Sequence, residues 1–568
     1  MKNFFNEIIS KIKKFDDFTS NYQKYSTRVE IPSFAYTNWA MHFASIKDFD
    51  TAIEKLKTAI LMSRNNAKPC VSLGIIYAKL KEYKQAEEIL KEAINRDSTN
   101  AYTYSIISSV LIAENRFEEA EGYLKKAIKI APTDFETYLN YGILYVKQKK
   151  NLKAIEMLKK AKSLDPTNPH IFFLLGTMFL DLEKIAEAFL EFKQLERIEP
   201  TYKGLFYNIA LCYKKEKNHM AVLEYGQRAL ELDTNNPAIY ILLAKNYLDL
   251  NQTENCLKTY KEAENKGIID FDLYLTWGIN LYNLNDIQNA KIKFQEALKI
   301  NAEDSDALYR LGSCFYKEKN LQEAKELFIK SIKQNPTNSL AVGNLGLLFY
   351  DEKDWEEAIK HLFNAIAIDK NKSYLYFYIA NSYYKIGKIK KSIDYYKRTL
   401  EYHPRHLEAM INYTICLLDV NNLKEAMREI RNAYQLDRDS KKILLIYALT
   451  SFKCGLFSEA IDKTKILLEK DTENIDAQLI LIYSLINQKK GGEAIKIIDS
   501  LSKEIQEKDF ILFLTYKAYK ILVENEPSNY NEDKLKMYQE KINDLNDTDF
   551  SISQINAYLS DTLNINKG

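Results

Sequence analysis

Residues Phe135 to Asn168 read FETYLNYGILYVKQKKNLKAIEMLKKAKSLDPTN. In its first part Tyr138, Tyr141, Gly142 and Tyr145 fall at i, i+3, i+4 and i+7, one face of an α-helix. After the polar turn Gln148-Lys149-Lys150, Ala154, Leu158 and Ala161 repeat that spacing, and Pro166 closes the stretch. The pattern predicts two helices packed against each other. The small residues Gly142 and Ala154 let the backbones approach, and the large ones fill what space remains. A pair this short cannot bury its own apolar face, so it needs stacked neighbours.

The neighbours are in the sequence. With windows of 34 residues from Ser33, position 20 reads Ala52, Ala86, Ala120, Ala154, Ala188, Val222, Cys256, Ala290, Ala324, Ala358, Ser392, Ala426, Ala460 and Ala494. Val222 is the one bulky departure, and it predicts a slightly splayed sixth pair. Position 8 is mostly Gly or Ala, and position 27 is Ala in nine windows from Ala59 to Ala433. Pro132, Pro166, Pro200, Pro336 and Pro404 each close a window. The phase holds over fourteen windows, residues 33–508, and decays at the end, where Ile482, Leu467 and Leu501 replace small residues.

This pattern resembles the tetratricopeptide repeat, with large residues at 4, 7, 11, 17 and 24, small ones at 8, 20 and 27, and Pro at 32. The resemblance implies an all-α fold, an α-solenoid forming a right-handed superhelix of about fourteen 34-residue helix-turn-helix repeats with a long concave groove. Residues 1–32 are expected to form an N-terminal capping helix, with Phe4, Phe5, Ile8, Ile12 and Phe15 aligned. Residues 509–568 are expected to hold a degenerate fifteenth repeat, with helices from Asp509 to Leu522 and from about Asn531, then a C-terminal capping helix. Gly491-Gly492 are expected to interrupt the fourteenth repeat between its helices.

Composition narrows function. Lys and Arg total 80 against 78 Asp and Glu, a net charge of +2, which argues against nucleic acid as a partner. No unbroken apolar run long enough for a transmembrane segment or a signal peptide occurs. Cys70, Cys212, Cys256, Cys314, Cys416 and Cys454 form no CxxC motif and read as reduced core residues of a cytoplasmic protein. GxGxxG, P-loop, HExxH and GxSxG motifs are missing, and the histidines are scattered, His403 and His406 reading as an exposed loop pair. A non-enzymatic protein with no cofactor and no metal is expected.

The informative residues lie opposite the core stripe of the first helix. Position 12 is Tyr282, Tyr316, Tyr350 and Tyr384 in four consecutive windows. Around them stand Tyr309, Tyr374, Phe377, Tyr378 and Asn381, with the cations Arg310, Lys317 and Lys385 interspersed with Asp306 and Asp351. The resemblance implies that this face lines a peptide-holding groove. Tyrosine is a favoured interface anchor because it is large, rigid and amphipathic. Packing of position 12 on the adjacent helix is the competing explanation.

Position 6 carries Asn38, Asn140, Asn208, Asn344 and Asn412, a broken ladder. It is similar to the amide ladder of the O-linked N-acetylglucosamine transferase repeat domain, where amides grip a peptide backbone. These features predict a non-enzymatic adaptor holding a protein or peptide partner in the groove. The alternative is a regulatory or substrate-presenting subunit of a separate glycosyltransferase-like enzyme.

Overall fold

A computed structural model describes residues 33–63 and 65–543 of the chain. The two expected capping helices, within 1–32 and from Thr548 onward, lie outside the described residues. The chain is an α-solenoid of paired helices, A and B, and divides into two compact parts, up to Ile269 and from Asp270 onward. Each part holds seven A–B pairs. The second adds helices Lys503–Gln506, Asp509–Asn525 and Asn529–Asn543.

The pairs keep the 34-residue register. In the ninth, helix A is Ser305–Lys317 and helix B is Leu321–Gln334; in the tenth they are Ser339–Asp351 and Trp355–Ile368. Most helices A start where the preceding window ends in Asn or Asp, whose side chain accepts a first-turn N–H: Asp304 Oδ1 takes that of Ala307 at 2.8 Å. It ends in a paired turn, with Asn320 N–H donating to Phe315 O at 2.9 Å and Lys319 N–H to Tyr316 O at 3.0 Å. That turn needs a left-handed residue at position 15. Only Gly387 and Gly455 are glycine there, so lysines such as Lys319 (φ 61°) and Lys353 (φ 63°) take the strained conformation.

The small residues do what their spacing predicts. A Cβ on Gly176 would sit 2.4 Å from Phe192 Cε1, and one on Gly142 2.5 Å from Leu158 Cδ2, so position 8 of helix A rests directly on position 24 of helix B. Val222 is fully buried. In its helix the bulk is exchanged: position 24 is Gly226, and Leu243 of the next pair fills the place, 2.5 Å from where a Cβ would stand. Gly491 and Gly492 do not interrupt the fourteenth pair; they open its helix B, Gly491–Ser500. A Cβ on Gly491 would meet the Ala518 carbonyl oxygen at 2.3 Å, so the glycine admits the backbone of helix Asp509–Asn525.

Between neighbouring pairs the two sides differ. Helices A of most successive pairs touch one another. The B side is joined by ion pairs instead, such as Arg228–Glu196 at 2.9 Å and Lys162–Glu191 at 2.7 Å. Five cysteines are buried and Cys454 is half-buried. Burial pushes the Cys70 thiol up to about 11 and those of Cys212, Cys314 and Cys416 up to about 12, out of reach of ready thiolate chemistry. Among the described residues no helix is long and apolar enough to cross a membrane.

Candidate peptide-docking face

All thirteen candidate residues fall in the second compact part, twelve on helices A of repeats eight to eleven and Tyr374 at the N-cap of helix Leu375–Lys385. Position 12 faces the next helix A, and its four tyrosines are half-buried. Tyr316 donates its hydroxyl to Asp351 Oδ2 at 2.6 Å, and Tyr384 donates to Asp419 Oδ2 at 3.1 Å, in each case the last residue of the following helix A. Tyr350 instead accepts from Asn381 Nδ2 at 3.1 Å, and the Tyr282 ring carries the Lys317 ammonium 5.0 Å from its centre. Tyr316, Tyr350 and Tyr384 therefore bind the next helix A through their hydroxyls, Tyr282 meets it through its ring, and all four stay half-buried.

Tyr350 is the centre of the cluster. Tyr378 and Trp355 each meet it edge-to-face, with ring centroids 5.3 Å away. Tyr309 packs on Phe328, 6.4 Å between centroids, and Tyr374 is the most exposed aromatic of the set. Burial raises the pKa of Tyr282, Tyr309, Tyr316, Tyr350, Tyr374, Tyr378 and Tyr384, and for Tyr316 the carboxylate of Asp351 adds to it. Every phenol in the cluster thus stays a protonated donor through the neutral range.

The remaining candidates divide. Phe377 is buried, with its ring 4.6 Å from that of His406, and belongs to the junction of repeats eleven and twelve. Asn381 is buried in a polar network, giving one amide hydrogen to Tyr350 and accepting from Tyr396 and from Asn412. Arg310 folds back on its own helix, Nε to Asp306 Oδ2 at 2.8 Å. Lys317 is exposed and donates to Asn285 Oδ1 at 2.7 Å. Lys385 is half-buried; burial and then the charge of Lys353 lower its pKa.

The position-6 amides look inward. Asn140 donates to Ser105 Oγ at 2.8 Å and Asn344 to Ser313 Oγ at 3.1 Å, both on the preceding helix A. Asn412 reaches Asn381 Oδ1 at 3.3 Å, and Asn208 turns to Gly204 O at 2.8 Å. Asn38, in the first repeat, is exposed. His403 and His406 are half-buried rather than exposed, because His406 Nδ1 caps helix A of repeat twelve by accepting the Ala409 N–H at 3.2 Å. The role that sequence reasoning missed is that of Asp351 and Asp419 as hydroxyl acceptors. Their shared position 13 in the window was the available signal.

Family models described as tetratricopeptide repeat match residues 47–107, 111–176, 305–338 and 379–441, and one described as TPR repeat matches 346–387. The 305–338 match coincides with the ninth window and its two helices. The chain is a tetratricopeptide repeat protein. Repeats of this family build protein-interaction scaffolds and are generally non-catalytic.

Solved structures similar to this tetratricopeptide repeat protein include the APC/C hetero-tetramer Cut9-Hcn1, at 14% identity over 80% of this chain and 96% of that one, with a TM-score of 0.38. Pseudomonas aeruginosa pilF matches at 18% identity over 37% of this chain and 95% of its own, TM-score 0.34. A thermophilic TPR protein of Thermus thermophilus matches at 20% identity over 32% and 99%, TM-score 0.30. The comparison with curated proteins gives no match.

Proposed function

We propose that this protein is a non-enzymatic adaptor that holds a protein partner, as a peptide segment, against helices A of repeats eight to eleven. The observation that carries the reading is the run Tyr282, Tyr316, Tyr350 and Tyr384, all half-buried, the last three with their hydroxyls engaged and Tyr282 held through its ring by Lys317. Rings anchored in this way lose little conformational freedom when a partner covers them, which favours binding. Lys317, Asp351 and Tyr374 stay exposed at the margin and supply the polar rim. Four of the five position-6 amides, Asn140, Asn208, Asn344 and Asn412, are engaged within the fold, so no continuous amide ladder supports the glycosyltransferase-subunit alternative.

Tyr316→Ala, Tyr350→Ala and Tyr384→Ala combined in one chain test the proposal by affinity capture alongside thermal melting. The expected outcome is loss of specifically captured partners with the melting transition retained. Capture unchanged from the native chain would refute it, as would a collapsed fold with no specific loss.

A further inference from the structure

We infer that the last residues of successive helices A form a charge rail that reads an extended polypeptide segment whose acidic and basic side chains alternate at every third position. The inference rests on the docking reading above and names the chemistry of the partner. In repeats nine to thirteen position 13 is Lys317, Asp351, Lys385, Asp419 and Lys453. The first compact part has its own run, Lys147, Asp181, Lys215 and Asp249, in repeats four to seven. The sign alternates without a break in both. All are exposed except Lys385 and Lys453, which are half-buried.

Helix stability does not account for the alternation. A helix C-terminus favours lysine and opposes aspartate, so that effect alone would give one sign throughout. Several members are engaged by residues other than their neighbours along the rail, although the Lys453 charge does reach Asp419. Lys317 donates to Asn285 Oδ1 at 2.7 Å, Lys215 pairs with Glu183 at 3.2 Å, and Asp351 and Asp419 each take a tyrosine hydroxyl. One hydroxyl fills about one of the four acceptor positions of a carboxylate, which leaves capacity for an incoming cation. Around Lys385 the nearby Lys353 adds like charge, which an arriving carboxylate would offset.

Spacing then selects the partner. Helices A of repeats nine to thirteen touch in succession, and touching helices lie about 8–10 Å apart. Three residues of polyproline II advance about 9 Å. A segment laid across the row therefore meets one rail residue with every third side chain. The run from Lys317 to Lys453 is complementary to Glu-x-x-Lys-x-x-Glu-x-x-Lys-x-x-Glu, and a like charge at any rung fixes the register by repulsion.

The probe is a fluorescently labelled Glu-Pro-Pro-Lys-Pro-Pro-Glu-Pro-Pro-Lys-Pro-Pro-Glu, titrated with the full chain and read by anisotropy. Saturable binding that weakens with added salt is expected, with about tenfold weaker binding of a peptide of the same composition whose acidic and basic residues are grouped. Lys385→Glu, shown folded by its melt, should lose about tenfold for the first peptide and recover it when the central Glu becomes Lys. Equal binding of the alternating and grouped peptides, or no recovery, overturns the rail. Failure of the alternating peptide to bind, while the triple tyrosine variant still loses its captured partner, sinks the rail and leaves the docking reading standing. Charge-selective binding that the triple tyrosine variant fully retains supports the rail and removes the aromatic cluster from the docking reading.

Discussion

Position 12 of helix A is Ala44, Ala78, Ile112, Val146, Leu180, Lys214 and Leu248 in the first compact part, and begins Tyr282, Tyr316, Tyr350, Tyr384 in the second. The helices that carry these residues all stop at position 13 and, except for those opening at Lys68, Leu205 and Leu375, start at position 1. In both parts position 12 also faces position 13 of the next repeat: Lys214 lies near Asp249 as Tyr316 meets Asp351. The fold fixes the place and leaves its occupant open. Aliphatic side chains, a lysine and phenols all satisfy the same backbone, so four successive tyrosines have a cause beyond packing, and a docking face is the cause proposed.

What the two parts share can be broken first. Gly176→Ala and Gly312→Ala put a Cβ against Phe192 at 2.4 Å and Phe328 at 2.9 Å, one in each part. Denaturant titration should show each losing about 1–3 kcal/mol, with Gly176→Ala the larger, since overpacking a close helix pair forces strain. No loss in either would mean that the glycines are not there for close approach.

What differs gives the next effect. Asn381→Leu removes the buried amide that serves Tyr350, Tyr396 and Asn412, and should cost about 1–3 kcal/mol by leaving polar groups unpaired. Its counterpart at position 9 of repeat five, Thr177, bonds to Leu174 O on its own helix, so Thr177→Val should cost about 1 kcal/mol or less. Equal losses would erase the distinction between the polar network of the second part and the aliphatic packing of the first.

A smaller effect runs the other way. Lys353→Gly in the second part and Glu183→Gly in the first relieve left-handed backbone at φ 63° and 58°. Each should gain about 0.5–1 kcal/mol in a thermal or denaturant melt. The least effect is on acid stability. Burial lowers the pKa of His170 in the first part and His361 in the second, so the unfolded chain binds their protons more tightly than the folded one. Stability should then be unaffected by them well above 6.5 and fall as pH drops below it, and His170→Gln or His361→Gln should flatten that decline.

The helix pairs were legible because close approach demands small residues, and small residues leave a periodic trace at positions 8, 20 and 27. Gly491-Gly492 misled because glycine marks a break by propensity, whereas here it admits the Ala518 carbonyl, a contact made by a helix outside the window. The tyrosine row was legible as a pattern but not as a set of bonds. A phenol in a sequence does not say whether its hydroxyl meets a partner or Asp351. The position-6 amides show the same limit, since an asparagine able to grip a peptide is equally able to bond Ser313. Phe377 and Asn381 sit among exposed candidates in the helical projection, yet junctions between repeats bury them.

The central claim, that the second part's aromatic row serves binding rather than folding, is tested by transplanting the first part's solution. A chain carrying Tyr316→Val, Tyr350→Leu and Tyr384→Leu would be compared with the native chain by circular-dichroism melting and by affinity capture of partners. The account predicts a single cooperative melt within about 5 °C of the native midpoint and loss of the specifically captured partner. Unfolding of residues 270–543, or capture equal to that of the native chain, would contradict it.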